Sequence, residues 1–165
     1  MFFQTLGVAV RARGFRLSTG DWYLPDFRVR LADGLLWAEV KPEGAPIDLF
    51  ERFCNELPVG ARAAVLNEIP DPEDVVEGQE CGYFDVCLSS EYWSNGHQFC
   101  ICPRCDAIGF EYAGMAARIK CACVKTADLD PTLHIPTYDH PHILAAYAAA
   151  RSARFEHGER GEGSL

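Results

Sequence analysis

Along Leu35 to Lys41 the side chains alternate between two faces, with Trp37, Glu39 and Lys41 on one and Leu36, Ala38 and Val40 on the other, the period of a β-strand. Tyr23 to Leu31 reads as a second strand. Between them Ala32-Asp33-Gly34 contains the Asp-Gly pair that supplies the positive φ of a tight hairpin, so the two strands are predicted to pair antiparallel. Pro42 ends the second strand because it has no N–H to donate to a ladder. From Pro46, apolar residues recur at Ile47, Phe50, Phe53, Cys54 and Leu57, one face at helical spacing. This predicts an amphipathic helix packed on the sheet, on the side opposite Glu39. Arg62 to Ile69 then reads as a short buried strand, and the order strand, strand, helix, strand implies a crossover and an α/β architecture.

Elsewhere the pattern is weaker. Val8 to Leu17 reads as a short strand or extended lead-in interrupted by Gly14. Residues 70–98 are rich in Pro and acid at first, then carry Tyr83, Phe84, Tyr92 and Trp93 without clean periodicity, and are expected to form a connector with at most one strand. Phe110 to Tyr112 and Arg118 to Lys120 flank Gly114 and are placed for a small hairpin. Pro141 to Phe155 begins with Pro and is rich in Ala, both helix signs. Glu156 to Leu165 is Gly-rich and charged and is expected to be mobile. The expected organisation is a core over 1–75, a connector with a cysteine knuckle over 76–130, and a C-terminal helix with its tail over 131–165.

A chain of 165 residues holds about one domain and a small appended module. A hydrophobic fraction of 48% and an aromatic fraction of 12% fit a globular protein rather than a disordered or fibrous one. No apolar run approaches the roughly 18 residues of a bilayer helix, and the opening Met1 to Gly7 has no secretory pattern, so a cytoplasmic protein is expected. The net charge of −9 is unevenly spread: residues 1–41 hold six basic and four acidic residues, 42–100 hold two and twelve, and 101–165 hold seven and eight. The middle is therefore an acidic solvated face, a nucleic-acid mimic or a surface for a protein partner, and both ends are left able to face a polyanion.

Two sets of residues carry candidate chemistry. Asp26, Glu39 and Lys41 are predicted to meet on one face of the hairpin. Neighbouring carboxylates repel unless a cation sits between them, and hard oxygen ligands suit Mg²⁺ or Mn²⁺. Lys41 is then placed to stabilise charge developing on a phosphodiester. The alternative is that Asp26 caps a turn while Glu39 pairs with Lys41 or an Arg on an exposed sheet face.

The second set is Cys102, Cys105, Cys121 and Cys123, spaced C-x2-C-x15-C-x-C. Five of the eight cysteines fall in Cys100 to Cys123, and in a reducing compartment such clustering points to metal rather than disulfides. Four thiolates fit tetrahedral Zn²⁺ in a closed structural site, with Cys100 or His97 as alternatives to Cys123. Cys54, Cys81 and Cys87 are expected in the core. His140 and His142 flank Pro141 and are expected as cap or surface residues, and His157 lies in the tail. Arg151 and Arg154 are placed for salt bridges with Glu156 and the acidic middle, or for phosphates.

The strings YLPDF (Tyr23 to Phe27) and WAEVK (Trp37 to Lys41) resemble the signature of PD-(D/E)XK nucleases, carried here by Pro25, Asp26, Glu39 and Lys41. In more detail the chain resembles small nuclease-like proteins of actinobacterial phages, which join such a core to a CPxC knuckle and an Ala-rich C-terminal helix. The resemblance implies a restriction-endonuclease-like mixed sheet with flanking helices and a metal-dependent DNA endonuclease. Asp26 and Glu39 would be its Mg²⁺ or Mn²⁺ ligands and Lys41 its catalytic lysine, with DNA as partner and a homodimer as one assembly. It departs in one respect. The family carries an acidic residue on a helix before the segment that Phe2 to Val8 resembles; that acid is expected to be missing here, and Gln4 cannot coordinate as a carboxylate. A catalytically impaired descendant, binding DNA or regulating a host protein, is the competing expectation.

Overall fold

A computed structural model describes residues 1–8, 14–32, 34–57, 61–77, 84–89, 92–113, 119, 121–125 and 137–156, and side chains within them except at 85–89, 92–95, 124–125 and 153–156. The predicted hairpin is its organising unit. Strands β3 (Phe27–Leu31) and β4 (Gly34–Val40) pair antiparallel from Phe27 opposite Ala38 to Leu31 opposite Gly34, where Gly34 takes φ 136° at the turn. That φ is open to glycine at no steric cost. Helix α2 (Asp48–Asn55) crosses over to β5 (Arg62–Leu66), which runs parallel to β4 with Trp37 beside Ala63 and Glu39 beside Val65.

Preceding the hairpin are α1 (Phe2–Thr5) and a separate two-stranded ribbon, β1 (Phe15–Arg16) with β2 (Trp22–Tyr23). The strand predicted over Tyr23 to Leu31 therefore breaks at Leu24-Pro25-Asp26. Pro25 lacks an N–H and pushes its neighbour out of regular pairing, and its ring is fully buried at the break.

Beyond β5 come α3 (Pro72–Val76), β6 (Phe84–Ser89), β7 (Tyr92–Ile101) and β8 (Ile108–Tyr112), giving a six-stranded sheet in the order β3-β4-β5-β6-β7-β8. Residues 84–101 thus supply two strands where a connector with at most one was expected, and the sheet runs across the boundary placed at residue 75. All neighbours except β4 and β5 are antiparallel. The predicted C-terminal helix is α4 (Pro141–Glu156). His140 starts it: its carbonyl accepts from the Ile143 and Leu144 amides, and its Nδ1 accepts from the His142 amide at 3.2 Å. The Arg118 to Lys120 half of the predicted hairpin, Cys81, the Cys87 side chain, His157 and the tail lie outside the described residues, apart from Ile119. Among the described residues no helix is long and apolar enough to cross a membrane.

The sheet buries both faces. On one, Val29, Leu31, Leu36, Ala64, Phe84, Phe99, Ile101 and Phe110 pack under α1 and α4, with Phe2 stacked on Tyr147 at 4.9 Å. Ile143, Ala146 and Tyr147 form the buried stripe of α4. On the other, Trp37, Ala63 and Val65 pack with Leu17, Tyr23 and the α2 residues Phe50, Phe53 and Cys54. Arg151 of α4 pairs with Asp71 at 3.0 Å and donates to the Ile69 carbonyl at 3.1 Å, which ties α4 to the acidic segment before α3. Asp71 also caps α3 by accepting from the Glu73 amide.

One expectation is corrected here. Helix α2 packs on the face that carries Trp37 and Glu39, not behind it: Phe53 meets Trp37 edge to face at 5.5 Å. Both faces of β4 are apolar before Glu39, so alternation along the strand leaves open which face the helix covers. The opposite face is already filled by α1 and α4.

Candidate active site and candidate metal centre

The hairpin register sets Asp26, immediately before β3, across from Glu39 at the end of β4, because Phe27 faces Ala38. Both residues share the parity of Arg28 and Trp37, whose side chains meet with the guanidinium 5.3 Å from the indole centroid. The Asp26 Oδ2 accepts a 2.8 Å hydrogen bond from the Val40 amide, which fastens the start of one strand to the end of the other. Lys41, just beyond β4, puts its Nζ 3.2 Å from Glu39 Oε1.

Those two contacts are the ones expected of a bare capping and pairing arrangement, but the surroundings differ from that picture. Glu39 is only 7% exposed, and its second oxygen, Oε2, is buried with no hydrogen-bond partner. A buried carboxylate oxygen left without a donor costs about 1–3 kcal/mol or more. Tyr23 completes the wall beside it. Its ring is held by Phe53 at 5.0 Å and Phe50 at 6.3 Å, and its hydroxyl, also buried, has no well-formed hydrogen bond. Burial first, and then the adjacent Glu39 carboxylate and the charge of Asp26, hold that hydroxyl far above the ordinary tyrosine range, so it stays a proton donor. This face of the hairpin thus carries two carboxylates, with one buried Glu39 oxygen left without a hydrogen-bond partner.

The sulfur site follows β7, in the part of the strand order away from the hairpin. Strand β7 leads into Cys102-Pro103-Arg104-Cys105, and the chain turns back so that the Asp106 amide donates to the Cys102 carbonyl at 3.0 Å and the Cys102 amide to the Ala107 carbonyl at 2.9 Å. Asp106 closes this knuckle at φ 55°, the left-handed region. Cys121 and Cys123 come from the stretch around a 3₁₀ turn (Ala122–Lys125). The sulfurs of Cys102, Cys105, Cys121 and Cys123 all lie within 4.8 Å of one another, and Cys121 Sγ is 3.5 Å from Cys102 Sγ.

Burial raises the Cys102 thiol, but amide donors from Arg104 and Cys105 and the neighbouring thiols outweigh it and bring Cys102 below its ordinary value. Cys105 and Cys121 are raised, by burial first. Four sulfurs this close cannot all ionise unless a cation compensates them, and together they are placed to hold one metal ion.

Cys100 and Ile119 are buried against Cys102 and Cys121. Gly109 makes the room: a Cβ there would come within 2.6 Å of Ile119 Cδ1 and 3.5 Å of Cys100 Sγ. Of the two alternatives to Cys123, Cys100 sits in this layer, and His97, earlier on β7, packs tilted against Phe110 at 5.8 Å and edge-on to Tyr112 at 5.9 Å. Cys54 is a core residue, as expected.

Sequence reasoning did not single out Tyr23 as part of the site. The signal was its place at the head of YLPDF, three residues before Asp26, where a strand break turns its ring under the hairpin. In comparisons with family models, with curated proteins and with solved structures, nothing matches this chain.

Proposed function

We propose that this chain is a divalent-metal-dependent DNA endonuclease of the PD-(D/E)XK type, with a restriction-endonuclease-like core and a structural zinc at the four-cysteine knuckle. One observation carries the reading: two carboxylates, Asp26 and Glu39, share a face of one hairpin beside Lys41, and the buried oxygen of Glu39 has no protein partner. The hairpin followed by α2 and a parallel β5 supports the fold part of the reading.

In this reading Asp26 and Glu39 hold Mg²⁺ or Mn²⁺, which when bound polarises a phosphodiester and lowers the pKa of water. Lys41 moves from Glu39 Oε1 toward the phosphate and supplies a fixed positive charge where negative charge develops. The Val40 amide keeps Asp26 in register with Glu39 throughout. The buried aromatic floor of Tyr23, Trp37, Phe50 and Phe53 excludes water from below the site.

A second reading has its own observation. Asp26 and Glu39 each already have one oxygen satisfied within the chain, by Val40 and by Lys41, which suits a fold that binds DNA or a protein and does not cut. Incubation with plasmid separates the two. Nicking or linearisation with Mg²⁺ or Mn²⁺, stopped by EDTA and abolished by Glu39→Ala and by Lys41→Ala, is the expected result. DNA binding without cleavage under either ion moves the protein to the second reading.

A further inference from the structure

Resting on the endonuclease reading, we infer that Arg28 and Arg30 of β3 form a phosphate track that lays a DNA strand alongside Asp26 and Glu39. Along β3 the side chains alternate, and Val29 and Leu31 are buried in the core under α1 and α4, so Arg28 and Arg30 stand on the opposite face. Register puts them in line with the carboxylates: Arg28 lies opposite Trp37 and Arg30 opposite Leu35, on the face shared by Asp26 and Glu39. Successive residues on one face of a strand are about 7 Å apart. The row from Asp26 through Arg28 to Arg30 therefore leads away from the site in steps comparable to those between neighbouring phosphates of a nucleic-acid strand.

Three observations favour a polyanion as its occupant. Helix α2 covers Trp37, Ala63 and Val65 of β4 and β5, and no residue of β3 belongs to the core on that face, which leaves Arg30 exposed and Arg28 half-buried. Among the described residues neither arginine has a hydrogen bond or a carboxylate partner, although the chain carries a net charge of −9. Even Asp26, next along the row, accepts from the Val40 amide instead. Finally, Arg28 sits over the Trp37 ring at 5.3 Å, a contact that consumes none of its N–H donors and steadies a planar fork matched to two phosphate oxygens.

The test is binding of a fluorescent DNA duplex to the zinc-loaded full chain in Ca²⁺, followed by anisotropy over a range of salt concentrations. Wild type is compared with Arg30→Gln, Arg30→Lys and the double variant Arg28→Gln/Arg30→Gln, with a thermal melt of each. The double variant should lose about 10-fold or more in affinity, with a log–log salt slope flatter by about 2. Arg30→Gln, an exposed change that leaves the Trp37 contact in place, should fall between it and wild type, and Arg30→Lys should keep the wild-type slope. Wild-type affinity and slope in the double variant overturn the track, as does an equal loss in Arg104→Gln, which removes an exposed charge from the knuckle. Polyglutamate competing as strongly as DNA also overturns it and assigns the row to an acidic protein. None of these results touches plasmid cleavage, on which the endonuclease reading is judged. Arginine-dependent binding without cleavage under Mg²⁺ or Mn²⁺ keeps the track and moves the chain to the second reading, whereas no DNA binding by wild type ends both.

Discussion

The Asp26 carboxylate accepts a 2.8 Å hydrogen bond from the amide of Val40, the residue directly after Glu39. This one contact sets the spacing of the two acidic groups, because it joins the residue before β3 to the end of β4 at the point where the ladder proper has stopped. It also separates two roles that Asp26 carries in the account, as acceptor for a backbone donor and as a negative charge.

Asp26→Asn and Asp26→Ala pull those roles apart. Asparagine retains a carbonyl oxygen for the Val40 amide, so its stability should stay within about 0.5 kcal/mol of wild type, whereas alanine should lose about 0.5–1.5 kcal/mol for the broken hydrogen bond. Both should lose Mn²⁺ binding, since neither carries the charge. Chemical denaturation alongside Mn²⁺ titration measures the two effects separately.

Zinc removal should act on the knuckle between β7 and β8. Elemental analysis of purified protein should give about one Zn per chain. Cys102→Ser or Cys105→Ser should release it and lower the melting temperature, because structural zinc contributes folding free energy directly. Folded, metal-free protein of unchanged stability would remove the zinc assignment.

Gly109→Ala tests how the knuckle is supported. The added methyl meets the buried Ile119 side chain within 2.6 Å, so Ile119 must move, and with it the packing against Cys102 and Cys121. A destabilisation of about 1–3 kcal/mol is expected, the usual cost of overfilling a packed core, together with weaker zinc retention against a chelator. By contrast Asp106→Gly should stabilise the fold by about 1 kcal/mol, since φ 55° suits glycine better than aspartate.

Tyr23 should mark alkaline unfolding. Its pKa is raised in the folded state, by burial first and then by Glu39 and Asp26, while the unfolded chain titrates near the ordinary value of about 10. Above that pH the unfolded state has released a proton that the folded state retains, so stability present at neutral pH declines as pH rises. Denaturation curves between pH 8 and 11 should show a steeper decline for wild type than for Tyr23→Phe.

The hairpin was legible in the sequence because alternation, an Asp-Gly turn and a terminating proline all agree over residues that are also neighbours in the chain. The spacing of Asp26, Glu39 and Lys41 followed from it, and so did the C-terminal helix from its proline and alanines. Strands β6 and β7 were not legible. Their sequences, FDVCLS and YWSNGHQFCI, mix Asp, Ser, Asn and Gly with aromatics, and β6 departs from regular register against β7 in two places. Their pairing is decided by neighbours in the sheet, so β5 and β8 recruit them where local propensity gives no clear period. Tyr23 was overlooked for a related reason. A tyrosine near a strand end reads as core until the break at Pro25 turns it beneath Glu39.

Everything proposed for the active site rests on a cation held between Asp26 and Glu39, and anomalous diffraction from crystals grown with Mn²⁺ tests this directly. A manganese peak is expected within coordination distance, about 2.0–2.4 Å, of both carboxylates, with Lys41 Nζ displaced from Glu39 Oε1. A saturating Mn²⁺ soak that leaves no peak there, with the Lys41–Glu39 pair intact, would contradict it.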